Sequence, residues 1–305
     1  GVGSAPPTSS PLPETVVPRS RDAVRNEAKR ISDSPRRVAR PSFAPPTGLD
    51  RPFVGRLFAL ERLGALRRES VGRFHWARIE GEQGVGKTRL LTEVAARFAD
   101  DGDLVVGAGP HPTGALVPYG PIRRIVADLL ELEVSALSGA MKHPAFEDPL
   151  CRAGVEELSA PAGIRGFPGE GRTPAVARTL AAALAYAAPR AGTERVVLIV
   201  DDLSRCDGLT QDVLGALKPA LEKQSVLLLT ADARRRGGSG ERLVLEGLSV
   251  EEAGLFLARR GGAGGSTGGG TLAQRRLLPL FLEQLGALGM VDLSSESLPR
   301  RLAVL

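Results

Sequence analysis

Gly81, Glu82, Gln83, Gly84, Val85, Gly86, Lys87 and Thr88 follow one another in the Walker A pattern, a glycine-rich turn that ends on a lysine and a hydroxyl. Glycines let such a loop curl with its amides facing inward. Those amides, and the N-terminus of a helix behind them, give a positive potential that suits phosphate oxygens. Lys87 is placed to reach β- and γ-phosphates, and the Thr88 hydroxyl is a hard oxygen ligand of the kind Mg²⁺ prefers. The chemistry implied is the holding of Mg-ATP, with Arg89 next in line beside the loop.

A metal held by Thr88 needs a second oxygen anchor. The unbroken aliphatic run Val196-Val197-Leu198-Ile199-Val200 reads as a central parallel strand, and it delivers Asp201 and Asp202 at its carboxyl end, where open α/β sheets bind ligands. Asp201 is expected to hold Mg²⁺ with Thr88. Side chains alternate along an extended backbone, so Asp202 points elsewhere and is expected to polarise an attacking water as general base. Lys87 and Asp202 are thus the candidate catalytic residues, and Thr88 and Asp201 the candidate metal ligands.

For this site to form, a strand must lead into the loop and a helix must leave it. Phe74 to Glu80 supplies the strand, stopped by Gly81. A helix from Lys87 to about Phe98 turns Leu90, Leu91, Val94 and Ala95 toward a sheet. Further strands are expected at 103–107 and 226–230, and Pro121 suits the first turn of a helix that runs to Leu130. Leu57, Leu60, Leu63 and Leu66 recur at i+3 as the stripe of a helix ahead of the first strand. An alanine-rich, buried helix runs from Thr173 to Ala188 and is halted by Pro189. Residues 136–172 mix glycine, proline and charge and read as an insertion without assigned elements. Alternating strands and helices define an α/β fold, a P-loop parallel sheet flanked by helices.

After Leu243-Val244-Leu245 the texture becomes helical. Ser249-Val250-Glu251-Glu252 is a capping box, Gly261 to Gly270 a low-complexity joint, and Leu277 to Gly289 another helix. The expected organisation is a disordered Pro- and Arg-rich linker at 1–50, a P-loop core at 51–247 and a small helical lid at 248–305.

The chain has 305 residues, 42% hydrophobic and 25% charged, enough for a core with appendages. It contains no apolar run of about 18 residues that would span a bilayer, so no membrane association is expected. Cys151 and Cys206 are too few for a disulfide framework, and no Cys/His spacing suggests zinc, so a cytoplasmic setting is expected. The opening residues carry neither an initiator methionine nor a signal core and read as part of a longer chain. Of the net charge of +5, residues 1–50 hold +3 and the remainder +2. With aromatics at 4% there is little to stack on nucleic acid bases, and DNA binding is not expected of this segment alone.

Phe53-Val54-Gly55-Arg56, Val117-Pro118-Tyr119-Gly120-Pro121, Asp201-Asp202-Leu203 with Asp207, Leu245 to Leu255, and Leu280-Phe281-Leu282-Glu283-Gln284-Leu285 join the glycine loop in a wider pattern. Together, over about residues 51–305, they resemble the STAND-type and origin-recognition-like AAA+ ATPases, P-loop modules common in bacterial regulators. The resemblance implies that Arg56 lies near the adenine and that the proline of a GNP motif approaches the nucleotide. Here Leu277-Leu278-Pro279 stands in that place, so Pro279 alone carries over. The family often has Arg or another polar sensor after its fourth strand, where Thr230-Ala231-Asp232 supplies an acid, and intrinsic hydrolysis is expected to be slow. Arg234-Arg235-Arg236 reads as a solvated basic loop, Arg259-Arg260 as the complement of a helix dipole, and Cys206 as a small buried thiol. The function implied is a nucleotide-dependent switch in signal transduction or transcriptional regulation. ATP would close the lid and favour self-association, ADP would favour the closed or resting form, and other domains or regulatory proteins would be partners. A DNA-binding replication initiator and a P-loop kinase are the alternatives. The family enters a winged-helix unit where this chain reaches Leu298 to Leu302, so the effector region is expected beyond it.

Overall fold

The run Val196–Val200 shows no polar alternation because both faces of its strand are covered; all five of its residues are buried. A computed structural model describes Gly1 and residues 53–110, 113–114, 116–160, 171–233, 239–259 and 279. The elements below all belong to the unit Val38–Leu305. They are α1 (Leu57–Glu69), β1 (Phe74–Glu80), α2 (Lys87–Asp100), β2 (Leu104–Ala108), α3 (Gly120–Leu129), α4 (Pro149–Ser159), α5 (Arg172–Arg190), β3 (Val196–Val200), α6 (Gly208–Gly215), α7 (Leu217–Leu221), β4 (Val226–Asp232), β5 (Glu241–Val244) and α8 (Val250–Arg259).

The strands form one parallel sheet in the order β2-β3-β4-β1-β5. Register brings their carboxyl ends level: Val200 pairs with Thr230, and Glu80 with Asp232. Successive side chains leave a strand on opposite faces. Val106, Leu198, Val200 and Leu228 therefore enter a core under α3 to α7. Val105, Val197, Ile199, Leu227 and Leu229 enter a second core under α1 and α2. Each such aliphatic side chain stabilises the fold by about 1.5–3 kcal/mol through burial.

The expected α/β sheet is present, with β1 and β3 at the expected residues and α2 burying Leu90, Leu91, Val94 and Ala95. The capping box forms reciprocally: Ser249 N–H donates to the Glu252 carboxylate at 2.9 Å, and Glu252 N–H to Ser249 Oγ at 3.2 Å. Two expectations fail. Leu57 is 72% exposed and outside the stripe, while Ala59, Leu63 and Leu66 are buried. A step of three residues falls about 60° short of a full helical turn, so Leu57 and Leu66 end about half a turn apart. Pro189 does not halt α5, which continues to Arg190. In the last turn a proline removes only one backbone bond. The stop comes at Gly192, whose φ of +73° breaks the helical path while its N–H bonds the Pro189 carbonyl at 3.0 Å.

The stretch 136–172, which lacked an assignment, is entered by the 3₁₀ segment Val134–Lys142 and holds a second, Pro144–Phe146, and then α4, capped by Asp148, which accepts from Leu150 N–H at 2.8 Å. Helix α4 lies hard against α5 at Gly154, where a Cβ would collide with Thr179 Oγ1 and the Ala175 carbonyl. Thr179 Oγ1 in turn donates to the Cys151 carbonyl at 2.8 Å. The expected linker at 1–50, the Arg234 to Arg236 loop, the joint at Gly261 to Gly270 and the helix at 277–289 lie outside the described residues, Gly1 and Pro279 excepted.

Candidate nucleotide-binding site

Between β1 and α2 the chain turns sharply, with Gly84 at φ +81° and Gly86 at φ +99°. Residues with a Cβ adopt such angles at a cost, which is why the turn is built from glycine. The turn folds around Lys87, whose Nζ donates to the carbonyls of Gly81 and Glu82, each at 2.9 Å. Burial pushes the Lys87 ammonium below its ordinary pKa, while the charges of Asp202, Asp201 and Asp232 pull it upward. Lys87 therefore faces three carboxylates at the carboxyl edge of the sheet.

Thr88, on the first turn of α2, donates its hydroxyl to Asp201 Oδ2 at 2.7 Å across 113 residues of sequence. Asp201 is 8% exposed, and its Oδ1 accepts from the Asp202 N–H at 2.9 Å. Burial raises the Asp201 carboxyl above its usual range, against the lowering effect of those two hydrogen bonds. A hydroxyl and a carboxylate at this separation are hard oxygen donors of the kind that takes Mg²⁺, so the residues present fit that ion. Asp202 lies beyond the end of β3, so strand alternation does not set its direction. Its backbone is left-handed, with φ 50° and ψ 47°, and its carboxylate meets Arg205 Nη1 at 3.2 Å. Asp232, at the end of β4, is 7% exposed.

These residues share one cleft of about 780 Å³, within the range of small-molecule sites, lined by Arg56, residues 83–89, Asp201, Asp202 and Pro279 of the expected set. Gly81 and Glu82 contribute the carbonyls that hold Lys87. Arg56 Nη2 donates to the Val85 carbonyl at 2.8 Å, and its Nη1 to the Glu246 carbonyl, which ties the segment before α1 to the loop and to the connection between β5 and α8. Arg89 lies over the Phe53 ring, 5.2 Å from its centroid. Pro279 Cγ stands 3.9 Å from the point a Cβ on Gly86 would occupy, so the far end of the chain does approach the loop. Leu248, Phe256, Ala233, Ser204 and Arg205 also line the cleft. None of the five was picked out as a site residue from sequence. The apolar ones look like ordinary core positions in the chain, and Arg205 could have been suspected only from its place after Asp201-Asp202.

Asp207 closes the acidic segment. Its Oδ1 caps α6 through Thr210 N–H at 3.0 Å and accepts from Tyr119 N–H at 2.9 Å, holding Tyr119 in a left-handed conformation at the start of α3. Both residues belong to stretches singled out in the sequence, but nothing there indicated that they meet.

A parallel sheet with a glycine loop, lysine and threonine on one strand and a carboxylate pair on another is the fold of a P-loop nucleoside triphosphatase. A family model described as AAA ATPase domain matches residues 52–229, and the chain belongs to that family. It is thereby a nucleotide-binding ATPase module. No curated protein matches the sequence. A solved structure of Drosophila ORC bound to DNA is 16% identical, with 93% of this chain and 67% of that one covered at a TM-score of 0.44, a likeness too loose to bear on function. Among the described residues no helix is long and apolar enough to cross a membrane.

Proposed function

We propose that this chain is the nucleotide-operated switch of a larger signalling or transcription-regulating protein, of the STAND type, working in the cytoplasm. A core at 51–247 and a lid at 248–305 would hold Mg-ATP between them. The observation that carries this reading is the cleft itself, in which Lys87, Thr88 and Asp201 share walls with Leu248, Phe256 and Pro279. A ligand that touches both sides of a cleft favours the arrangement in which both contacts exist, and its loss releases that arrangement.

In this reading the amides of Gly81 to Gly86 surround the phosphates, and Lys87 exchanges its loop carbonyls for β- and γ-phosphate oxygens. Thr88 and Asp201 hold Mg²⁺, while Arg56, Arg89 and Pro279 border the remainder of the nucleotide. When bound, Mg²⁺ supplies positive charge to the phosphate oxygens. Asp202 takes the proton of the attacking water. Asp232 adds negative charge near Lys87, which opposes the charge that develops on the γ-phosphate, so turnover is slow, while the loop, Lys87, Thr88 and Asp201 suffice for tight binding. Partners would be ATP and ADP, further domains or regulatory proteins, and a second copy of the chain in the ATP state.

Calorimetric titration of the chain with Mg-ATP tests the reading. Lys87→Ala is expected to lower affinity about 10- to 100-fold, the scale of a lost charge-assisted hydrogen bond. A Lys87→Ala chain that binds Mg-ATP as well as the parent would remove the site assignment.

A further inference from the structure

Among the described residues four cations line the cleft, and three are fastened to the frame. Arg56 is held by the Val85 and Glu246 carbonyls, Lys87 by those of Gly81 and Glu82, and Arg89 by Glu93 at 3.1 Å and the face of Phe53. The fourth, Arg205, is held differently. Its backbone is fixed in the 3₁₀ turn Leu203–Arg205 by Arg205 N–H donating to the Asp202 carbonyl at 2.8 Å. Its guanidinium reaches into solvent with a side-chain exposure of 63% and meets Asp202 Oδ2 at 3.2 Å.

We infer that Arg205 is the residue by which this site distinguishes ATP from ADP: it rests on Asp202 and leaves that carboxylate for the terminal phosphate when a triphosphate is bound. The inference rests on the nucleotide reading above and adds a residue to it. Lys87 already faces Asp201 and Asp202, so a γ-phosphate entering beside those carboxylates gains from a second positive group. An exposed ion pair is worth at most about fivefold in an equilibrium. A guanidinium on a phosphate is a stronger, charge-assisted interaction, worth about tenfold or more. The exchange therefore runs toward the phosphate when one is present at the Asp202 end of the cleft, and toward Asp202 when the nucleotide stops at its β-phosphate. The same movement uncovers the carboxylate assigned to the attacking water, so the resting pair also restrains that group.

Affinities of the whole chain for a non-hydrolysable ATP analogue and for ADP, both with Mg²⁺, test the inference. Arg205→Ala is expected to weaken the analogue about tenfold and to leave ADP within about twofold, with Arg205→Lys recovering part of the loss. Asp202→Asn is expected to raise the preference for the analogue over ADP by up to about fivefold. That gain should vanish in the Asp202→Asn/Arg205→Ala double variant, because the released guanidinium is then absent. Arg205→Gln, which keeps a polar but uncharged side chain at this exposed position, guards against a folding defect and should behave as Arg205→Ala does. Equal loss of both ligands, an unchanged ratio, or an Asp202→Asn gain that persists in the double variant would each overturn the role of Arg205. If the parent chain bound neither ligand, the nucleotide reading itself would fail, which is a separate outcome.

Discussion

On one face of the sheet α1 and α2 cover Ala77, Ile79, Val197, Ile199, Leu227 and Leu229, and α2 starts directly from the glycine loop. On the other face α3 to α7 cover Val106, Leu198, Val200 and Leu228, and none of these five helices contributes a residue to the cleft lining. The first face carries chemistry in a contiguous strand, loop and helix. The second is a thicker layer made by helices that pack on one another, with α4 pressed onto α5 at Gly154 and with Asp207 and Tyr119 joined across 88 residues. Ligand binding and stability are therefore carried by different faces of the sheet. Damage at the loop should cost ligand and little fold, and damage in the thick layer should do the reverse.

The largest expected effect is on turnover. Asp202→Asn removes the group proposed to take the proton and should lower phosphate release, itself proposed to be slow, by about 100-fold or more, the lower end of general-base contributions. Its melting temperature should stay near that of the parent, since the Asp202 to Arg205 pair is exposed. An unchanged rate would take the base role from Asp202. Next in size, Lys87→Ala should lose affinity as described above, with little change in melting. A large drop in melting temperature would mean that the loop is part of the structural core and would erase the contrast between the faces.

The counterpart on the thick face is Gly154→Val. The added side chain collides with Thr179 Oγ1 and the Ala175 carbonyl and should destabilise the chain by about 1–3 kcal/mol, the usual cost of overpacking. Mg-ATP affinity measured well below the melting transition should not change. Parallel losses of stability and affinity would show that the α4 and α5 layer shapes the cleft after all.

The smallest expected effect is a fall in stability at alkaline pH. Burial, followed by the charge of Asp207, pushes the Cys206 thiol from 9.0 to about 12. Burial, followed by Glu157, pushes the Tyr119 hydroxyl from 10.0 to about 12. Between the ordinary and the folded values the folded chain keeps protons that the unfolded chain releases, so stability falls as pH rises. The contribution is intact below about pH 9 and is lost progressively toward pH 12. Cys206→Ala should flatten the pH 9–12 part of a melting-temperature profile, and an unaltered profile would show that the thiol is not held in its neutral form.

Much of the site was legible because its parts are local. A glycine loop between a strand and a helix, and an acidic pair after an aliphatic strand, announce themselves through backbone sterics and side-chain periodicity over fewer than ten residues. The Leu57 error and the Pro189 error came from the same local rules applied without context. Periodicity could not say which side of α1 the sheet would cover, nor that a proline in the last turn is tolerated. The lining residues Leu248 and Phe256, and the tether from Arg56 to Glu246, were invisible because each depends on segments that meet only after folding.

Taken alone, the sequence specified the strand, glycine turn and helix around Lys87, the capping box at Ser249 and the aliphatic strand ending in Asp201. Each of these depends on φ, ψ and on which neighbours lie within a turn or two. Tertiary structure alone decided that β4 would lie between β1 and β3, bringing Thr88 within 2.7 Å of Asp201, and that Asp202 would rest on Arg205 rather than on Lys87. Strand order and side-chain pairing follow from burying two faces of one sheet at once, and that is a property of the whole packed chain, not of any short stretch within it.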